Sequence, residues 1–454
     1  MTSGPAVRKT ARTVTLRTGR PTGERIRLSV YDLVNGTFAT ARTFYYRRTL
    51  DADALRDSLR RALERYPMLT GRLERDDDGG LSVLCNDAGA AFSVHHSDRP
   101  MPQYGPGRRA GNDLRRYVHT VNPFRVVGHD IPLLTVKVTH TRGGGSVLGV
   151  CINHSVVDGA GFLDFLLHWS RTHRGLAHRA APYARRLLEG PAPDATPDAA
   201  PATGPDDPQY TVVTGRQKWG FLWRVNAGAH RMRTLTVRLD AQEVLALKEA
   251  AGGGAADGSA PVSSGDALGA HVWRVLAALR DRTPESTERL GMVVSLRPAL
   301  KDRLPDGYSG NAVSNITAAL PAHALRAQPL AHTAAAVRDA RHRVTAERVR
   351  DEMAFLQAQH RAGRIKRVFS RMSLDAFEGT VALNNVSRLP VYDVEFGAGR
   401  PFWYEYPASP IPWTVLITPT PEDGHSRDVH LSVPREAAEA LDDPRWAGRL
   451  RVPE

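Results

Sequence analysis

Residues 147–165 read VLGVCINHSVVDGAGFLDF, in which a few polar residues separate two apolar runs. The first run, residues 147–152, has the length and composition of a buried strand, and the second predicts a helix. His154 therefore lies where a buried strand gives way to a loop or to the start of a helix. Imidazole is the side chain most easily tuned to take up and return a proton near neutral pH. Asp158 follows four residues later, and Gly159 suits a tight backbone turn.

Length and composition are typical of a globular protein with two domains. The 454 residues exceed one ordinary core, and 41% of them are hydrophobic while 24% are charged. The basic N-terminus lacks the apolar core of a secretory signal, and no run approaches the roughly 18 apolar residues of a membrane-spanning helix. Cys85 and Cys151 are the only cysteines, and both lie in apolar, strand-like runs. We therefore expect a cytoplasmic protein without disulfides.

The formal net charge of +13 does not by itself indicate a nucleic-acid-binding protein. Arginine is spread over apparent helix faces and loops, and no segment alternates basic with aromatic residues as nucleic-acid-binding segments do. This pattern favours an arginine-rich solvated surface over DNA or RNA binding. A basic surface would also suit a small molecule that carries phosphates, and charge alone does not separate these alternatives. We expect neither a nucleic-acid partner nor a membrane partner.

Strand-like and helix-like segments alternate along the chain. Alternating residues at 25–48 predict two strands around a turn at Asn35 and Gly36. Asp51 or Asp53 is placed to cap the helix that follows. Residues 132–152 predict a strand pair that turns at three consecutive glycines. The whole pattern predicts an α/β or α+β fold.

A linker rich in proline, alanine and glycine divides the chain. Residues 189–208 contain no aromatic residue and no apolar period, and we assign the linker to residues 189–215. We expect a basic, flexible N-terminus at 1–20 and an N-terminal domain at 21–188 that carries HSVVDG. A C-terminal domain at 216–454 would carry the motif EFGAGRP.

Three motifs along the chain resemble those of one enzyme family. His154, Asp158 and Gly159 form the pattern His-x-x-x-Asp-Gly, and residues 395–401 read EFGAGRP. Between them, residues 295–313 read SLRPALKDRLPDGYSGNAV and resemble an arginine-containing stretch that ends in Tyr-x-Gly-Asn. Together with the segments YPMLTGRL, VLCNDAGAAF and SSGDALGAHVWR, the chain resembles the BAHD acyltransferase family from about residue 25 to 445. This family lies within the chloramphenicol-acetyltransferase-like superfamily.

The chain departs from the family's motifs at three positions. Asn153 stands where the related pattern His-His-x-x-x-Asp-Gly has a further histidine, which many family members lack. Glu395 replaces the aspartate of the second motif and keeps its charge. Ala398 replaces a tryptophan, so we expect different packing or a different pocket shape near this loop.

The resemblance implies a fold and a reaction. The fold would have two chloramphenicol-acetyltransferase-like domains, each a mixed sheet flanked by helices, with an active-site tunnel between them. His154 would be the general base that takes the proton from an acceptor hydroxyl or amine as it attacks an acyl-CoA thioester. The alternative for His154 is a structural histidine at a strand end, and the companion motifs favour the base. Cys151 lies three residues earlier on the opposite strand face, which favours a core cysteine over a Cys–His pair.

The resemblance also implies structural roles for the motif residues. Asp158 either orients His154 or pairs with an arginine to hold the loop in shape, and the family pattern favours the arginine pair. Arg297 and Glu395 are expected to form a structural ion pair of their own. Gly159 and Gly397 complete the set of structural motif residues.

Substrate contacts are implied for three polar residues. Ser263 and Ser264 begin a helix near which the family binds coenzyme A, and a helix N-terminus suits an anionic ligand. Simple N-capping is the alternative for both serines. Asn384 lies near the position where the family places a hydroxyl residue close to the reacting centre, so we assign it an oxyanion or acceptor contact. No histidines have metal-ligand spacing, and we expect no metal and no bound cofactor, with acyl-CoA as cosubstrate.

These inferences predict an acyl-CoA-dependent acyltransferase that acts on a hydroxyl or amine of a small natural product. The arginine- and alanine-rich composition suggests a bacterial source, and we expect a monomer. Two alternatives stay open. One is a condensation-type enzyme whose acyl donor is bound to a carrier protein, and the other is a non-catalytic binding protein that kept the fold.

Overall fold

A computed structural model of the chain describes residues 12–36, 39–102, 109–110, 114–122, 125–178, 185–188, 209–228, 230–252, 261–280, 282–406 and 409–451. Its strands are β1 (Arg12–Leu16), β2 (Arg25–Arg27), β3 (Ala39–Tyr46), β4 (Arg72–Arg75), β5 (Leu81–Leu84), β6 (Ala90–Pro100), β7 (Arg109–Ala110), β8 (Leu134–Arg142), β9 (Ser146–Asn153), β10 (Tyr210–Val212), β11 (Met232–Leu239), β12 (Thr287–Ser295), β13 (Val313–Pro321), β14 (Val368–Ser370), β15 (Val381–Asn385), β16 (Trp403–Glu405), β17 (Thr414–Pro419) and β18 (Arg427–Pro434). Its helices are α1 (Val30–Asn35), α2 (Ala52–Leu63), α3 (Leu114–Tyr117), α4 (Gly159–His173), α5 (Gly215–Gly228), α6 (Ala241–Ala250), α7 (Ser264–Arg280), α8 (Ala322–Ala327), α9 (Leu330–His342), α10 (Ala346–Arg361), α11 (Arg371–Asp375), α12 (Arg435–Leu441) and α13 (Pro444–Arg449).

Two mixed sheets form the framework of the fold. The first has the strand order β1-β6-β8-β9-β3-β16, and the second has the order β13-β12-β15-β17-β18-β11-β7. The pairs β6–β8, β12–β15 and β15–β17 are parallel, whereas the other pairs of these two sheets are antiparallel. Two mixed sheets flanked by helices confirm the predicted fold class.

Each sheet has its own buried apolar core under a layer of helices. Leu59 of α2 and Phe165 of α4 belong to the core of the first sheet and are fully buried. Trp273 of α7 and Val337 of α9 belong to the core of the second sheet. Apolar burial stabilises by about 25 cal/mol per Å², so each core holds its sheet and the helices that cover it together.

The two sheets share chain segments. Strand β16, which comes late in the chain, pairs with β3 and completes the first sheet, and Tyr404 within it is part of the first core. Conversely, strand β7, which lies between β6 and β8 in the chain, pairs with β11 of the second sheet. The domain boundaries that the sequence predicts therefore stay a prediction, although the segment around β16 packs with the core of the first half.

Side-chain caps explain where α1 and α2 begin, and the first of these helices replaces a predicted strand. Asp51 caps α2 by accepting from the backbone N–H groups of Asp53 and Ala54. Of the strand pair predicted at 25–48, the second strand is confirmed as β3, but the pairing is wrong, because residues 30–35 form α1 and β2 pairs with β5. Ser29 and Asp32 make a reciprocal capping box at its start, which favours the helix over a hairpin.

The N-terminus and the linker are only partly described. Residues 12–16 of the segment that we expected to be flexible form β1 and pair with β6, so that prediction is wrong for these residues. Most of the predicted linker, residues 189–208, lies outside the described residues. Within the described part of the chain, no helix is both long and apolar enough to cross a membrane.

Candidate active site

His154 follows directly on β9, as the sequence predicts. All eight residues of β9 are buried between β8 and β3, and the three glycines at 143–145 close the β8–β9 hairpin with positive φ angles. His154 itself is half-buried. The strand therefore places its imidazole at the edge of the core, partly accessible to a ligand.

Asn311 fixes the orientation of this imidazole. The Nδ1 atom of His154 lies 3.0 Å from Oδ1 of Asn311. The Nδ2 of Asn311 donates to the carbonyl oxygen of His154 at 2.7 Å and to Oδ1 of Asp32 at 2.8 Å. Two acceptors on one side of the amide assign Nδ2 to that side and Oδ1 to the imidazole. Nδ1 of His154 therefore carries the proton, and the lone pair is left on Nε2.

The buried ion pair between Asp32 and Arg185 holds Asn311 in place. Asp32 accepts from the backbone N–H of Asn311 at 3.1 Å and from NH1 of Arg185 at 3.0 Å. The side chains of Asp32 and Arg185 are almost completely buried. None of these three residues is a site candidate from the sequence, although Asn311 is the last residue of the Tyr-x-Gly-Asn pattern.

Burial keeps His154 neutral. The pKa of His154 is lowered from its usual value of 6.5, mainly because burial penalises the charged imidazolium. The positive charge of Arg42 lowers this pKa further, whereas the negative charge of Asp158 and the Asn311 hydrogen bond raise it. A neutral imidazole with a free Nε2 is the form that can accept a proton.

Asp158 is engaged by donors other than His154. Its carboxylate accepts from the backbone N–H groups of Ala160 and Gly161 at 3.1 and 3.0 Å and from that of Ala312 at 3.1 Å. Arg297 donates to both carboxylate oxygens, at 2.8 and 3.1 Å. Asp158 thus caps α4 and ties the loop to a distant segment, an arrangement that agrees with the loop-holding role and gives no support to a triad.

The predicted ion pair between Arg297 and Glu395 is wrong. Arg297 is held by Asp158 and by the carbonyl oxygens of Tyr308 and Gly310, at 2.8 and 3.1 Å. Glu395 instead pairs at 3.1 Å with Arg174, which follows the last residue of α4, and both of these side chains are about 30% exposed. Asp158 is the better partner for Arg297 because it is buried and can accept the guanidinium through both oxygens.

The EFGAGRP loop packs on the helix that follows His154. Ser170 of α4 accepts from the backbone N–H of Glu395 at 3.0 Å and donates to its carbonyl oxygen at 2.7 Å. The ring of Phe396 lies 4.6 Å from that of Trp169. Gly397 has a φ of 77°, a left-handed conformation that favours glycine. These contacts agree with a structural role for the motif.

The glycine that the HSVVDG loop needs is Gly161. Gly159 is the first residue of α4, has no positive φ and leaves open space where a Cβ would stand, so the tight-turn interpretation is wrong. A Cβ on Gly161 would come within 2.2 Å of the carbonyl oxygen of Ser309. The close packing of α4 on this segment therefore depends on Gly161.

Cys151 lies in the core of the first sheet. Its sulfur accepts from the backbone N–H of Val121 at 3.4 Å, and burial raises the pKa of its thiol to about 11. A thiol with so high a pKa is a poor nucleophile. The structure agrees with the core-cysteine interpretation.

The residues predicted to contact substrate lie on the second sheet and its helix α7. Ser263 forms a capping box with Asp266, whose Oδ2 accepts from its backbone N–H and hydroxyl at 2.9 and 2.7 Å. Asn384 is half-buried on β15 and makes no side-chain hydrogen bond within the described residues. A Cβ on Gly265 would lie 2.9 Å from Nδ2 of Asn385, so the first turn of α7 lies against the end of β15. Successive residues of a strand point to opposite faces, so the side chain of Asn384 lies on the face of β15 away from α7, and the structure does not bring it together with Ser263 and Ser264.

Arg42 is a further polar residue beside this site that the sequence did not indicate. It lies on β3, opposite Val150 of β9. Its guanidinium carbon is 3.3 Å from the ring centroid of Tyr406 and 5.5 Å from that of Phe162. Only the fold brings β3, α4 and the segment after β16 together around it.

No group of three or more metal-ligating side chains is found within the described part of the chain. The site as described therefore consists of a neutral histidine, its asparagine and a set of structural ion pairs.

Comparison with known proteins identifies the family. A model of the Transferase family matches residues 7–444. A hydroxycinnamoyltransferase from Narcissus pseudonarcissus is 28% identical over 93% of this chain and 96% of that protein. A shikimate O-hydroxycinnamoyltransferase from Nicotiana tabacum is 26% identical over 91% of this chain and 93% of its own. Both relatives are plant proteins, so they give no support to the bacterial source suggested by composition.

Solved structures show the same fold. F. graminearum TRI101, solved with coenzyme A and T-2 mycotoxin, matches with a TM-score of 0.75 at 18% identity and covers 94% of this chain and 98% of its own. The first condensation domain of the calcium-dependent antibiotic synthetase matches less well, with a TM-score of 0.54 at 16% identity, and covers 94% of this chain and 96% of its own. Since the family model spans almost the whole chain, this protein belongs to the Transferase family, the BAHD acyltransferases that its motifs resemble, and is an acyltransferase.

Proposed function

We propose that this enzyme transfers an acyl group from coenzyme A to a hydroxyl or amine of a small molecule, with His154 as the general base. The observation that carries the proposal is the Asn311 contact, which puts the proton on Nδ1 of His154 and the lone pair on Nε2. Nε2 would take the acceptor's proton as the acceptor oxygen or nitrogen attacks the thioester carbonyl. The tetrahedral intermediate would then collapse, and the thiolate of coenzyme A would leave with that proton.

The oxyanion of this intermediate needs a donor that is in place before the reaction. We assign that donor to Asn384, because its amide is half-buried and uncommitted within the described residues. Coenzyme A would lie along the start of α7. Of the two serines there, Ser263 already uses its hydroxyl for capping, so Ser264 and the backbone N–H groups of the first turn are better placed to contact the anionic donor.

The two substrates would meet between two domains, which we place at 21–188 and 216–454, with the segment around β16 contributed to the first. We further propose that the enzyme acts as a cytoplasmic monomer without a nucleic-acid partner. The named relatives transfer hydroxycinnamoyl groups, and one of them acts on shikimate. A hydroxycinnamoyl-CoA is therefore the first donor to test, and small hydroxy and amino compounds are the first acceptors.

The test is product formation by the purified enzyme. A panel of acyl-CoA thioesters is mixed with hydroxylated and amine acceptors, and released thiol and product mass are followed together. We expect acceptor-dependent thiol release and a product heavier by the acyl group. His154→Ala should abolish both, whereas His332→Ala, at an exposed histidine of α9, should not. A His154→Ala enzyme as active as the parent would overturn the assignment of the base.

The condensation-type alternative is tested in the same assay. The acyl group is offered either on coenzyme A or on a phosphopantetheinylated carrier protein. We expect turnover with acyl-CoA, and turnover with the carrier protein alone would contradict the proposed donor. The poorer structural match to a condensation domain than to TRI101 favours the coenzyme A branch.

A further inference from the structure

Arg42 is a half-buried cation beside the candidate base. Directly opposed residues of antiparallel strands point to the same face of a sheet, so Arg42 shares a face with Val150 and, two residues on, with Ile152. The next residue in this alternation is His154, just past the end of β9. Arg42 is close enough to His154 for its charge to oppose protonation of the imidazole.

The environment of Arg42 holds its guanidinium in a fixed plane. Tyr406 stacks on that plane, with 3.3 Å between the guanidinium carbon and the ring centroid. NH1 donates to the carbonyl oxygen of Ala41 at 2.6 Å, and the guanidinium also hydrogen-bonds Tyr404. Stacking immobilises the plane but leaves part of its edge free for further acceptors.

Three buried or half-buried arginines of the fold are each paired with a carboxylate, whereas Arg42 forms no ion pair within the described residues. Arg185 pairs with Asp32, Arg238 with Asp428, and Arg297 with Asp158. Buried charges in proteins are ordinarily paired, because their desolvation is costly. An unpaired cation beside a base that must accept a proton also weakens that base, so a compensating role in ligand binding is expected.

We propose that Arg42 determines acceptor specificity by binding a carboxylate of the acceptor, so that the preferred acceptors are hydroxy or amino acids. This inference rests on the proposed acyl transfer and adds the class of acceptor. A planar, immobilised guanidinium fits a carboxylate through two parallel hydrogen bonds. Arg42 belongs to the first sheet, whereas Ser263, Ser264 and Asn384 lie on the second sheet and its helix, so the acceptor and the donor are assigned to different sides of His154.

Carboxylate binding would also activate the base. The bound carboxylate cancels the charge of Arg42, and His154 then becomes more basic in the complex than in the free enzyme. Around His154 the other charged groups are Asp158 in its own loop, Asp32 in α1, and Arg297 and Arg185 from the segments packed behind it. These four are paired with one another, so the acceptor changes only the Arg42 contribution.

The first experiment uses the unmodified enzyme. Each small hydroxy or amino acid of an acceptor panel is compared with its methyl ester and primary amide, with one acyl-CoA in excess. A charge-assisted hydrogen bond contributes about 1.5–3 kcal/mol, which is roughly a 10- to 100-fold effect. We expect kcat/KM to favour the acids by this factor. Equal turnover of acids and esters overturns the inference, whereas no thiol release with any acceptor counts against the acyl transfer itself.

Variants at Arg42 test whether the preference for acids depends on its guanidinium. Arg42→Gln should raise the KM for the acids by roughly 10- to 100-fold and leave the esters and the KM for acyl-CoA unchanged. Arg42→Lys should recover only part of the loss, because an ammonium lacks the planar fork. In the parent, the acid-limb pKa should be higher in the profile of kcat than in that of kcat/KM for the acceptor, and Arg42→Gln should remove this difference. A rise in KM for acyl-CoA alone would assign Arg42 to the donor phosphates and overturn the inference.

Discussion

The imidazole Nδ1 of His154 lies 3.0 Å from the amide Oδ1 of Asn311, and the same amide donates to the His154 carbonyl oxygen at 2.7 Å. One side chain therefore fixes both the ring and the backbone of the residue that carries it. In a Ser-His-Asp triad an aspartate holds the histidine and stabilises the imidazolium. Here the partner is neutral, and the aspartate four residues away is committed to an arginine.

Removing the Asn311 amide should impair the reaction more than the fold. Asn311→Ala releases Nδ1 of His154 and should lower kcat by roughly 10²-fold or more, since a positioned base contributes about 10²- to 10⁴-fold. It also takes one donor, the Nδ2 group, from buried Asp32 and should cost about 1–3 kcal/mol of unfolding free energy. Thiol release and urea unfolding measure the two effects.

The matched control is Asn315→Ala on β13, a half-buried asparagine that hydrogen-bonds Tyr210 instead of His154. It should leave kcat within a few-fold of the parent. An Asn311→Ala enzyme with the kcat of that control would show that the amide does not set the tautomer.

The lowered pKa of His154 predicts the acid limb of the rate profile. The base works only when it is neutral, so the rate is full above its pKa and falls as pH drops through that pKa. Because burial lowers the pKa below its usual 6.5, the midpoint of the acid limb of kcat/KM should lie below pH 6.5. Stopped assays of product mass across pH 5–9 measure this. A midpoint above 6.5 would contradict the prediction.

Asp158 and Arg297 should behave as a strongly coupled pair. Breaking a buried ion pair by removing one partner costs about 3–5 kcal/mol, because the other charge is left unpaired. Asp158→Asn and Arg297→Gln should each lower the unfolding free energy and the activity together, and the double variant should cost clearly less than the sum. An Asp158→Asn protein of unchanged melting temperature but without turnover would instead favour a catalytic triad.

Arg297 and Glu395 should show no such coupling. Glu395 pairs with Arg174 at the surface, and such pairs contribute about 0–1 kcal/mol. Glu395→Gln should therefore change the melting temperature little. Its effect should add to that of Arg297→Gln within about 0.5 kcal/mol in a double-mutant cycle. Coupling well above that value would restore the pair that the sequence predicts.

Glu352 gives a stability prediction remote from the chemistry. Its buried carboxylate accepts from Tyr31 at 3.0 Å and Ser314 at 2.8 Å, and burial raises its pKa from 4.5 to about 7. Between these pH values the folded protein holds a proton that the unfolded chain has lost. The stability that this proton contributes is complete below pH 4.5 and is lost as pH rises to about 7.

Glu352→Gln removes this titration and keeps a side chain of the same size. The melting temperature of Glu352→Gln relative to the parent should therefore rise between pH 5 and pH 8. Glu347→Gln, on the exposed first turn of the same helix, is the control and should show no such trend. A parallel dependence in parent and Glu352→Gln would mean that the carboxyl titrates normally.

Local patterns predict part of the site. The apolar run of β9 places His154 correctly because a buried strand and its end are local properties. The capping-box spacing of Ser29 and Asp32 was equally available and would have predicted α1 in place of a strand pair. Both signals lie within a few residues of the element that they define.

The hydrogen-bond and ion-pair partners of the site residues are not local properties, because they depend on contacts between distant segments. Asn311 lies 157 residues from His154, and although it ends the Tyr-x-Gly-Asn pattern, nothing in the sequence pairs it with this histidine. Arg297 had two acidic candidates in Asp158 and Glu395, and only the packing of α4 shows that Asp158 is the buried one. The role of Arg42 depends on its contact with Tyr406, and Tyr406 lies close to β3 only because β16 pairs with that strand.

The pairing of β16 with β3 has a consequence for the order in which the chain can fold. Tyr45 donates to Glu405 across 360 positions of sequence, so the edge of β3 stays uncovered until almost nine-tenths of the chain has been synthesised. Contacts of such long range form late and slowly, and an open strand edge is a site of aggregation. On the ribosome, the half of the protein that carries the base would have to wait for a strand made near the end of translation.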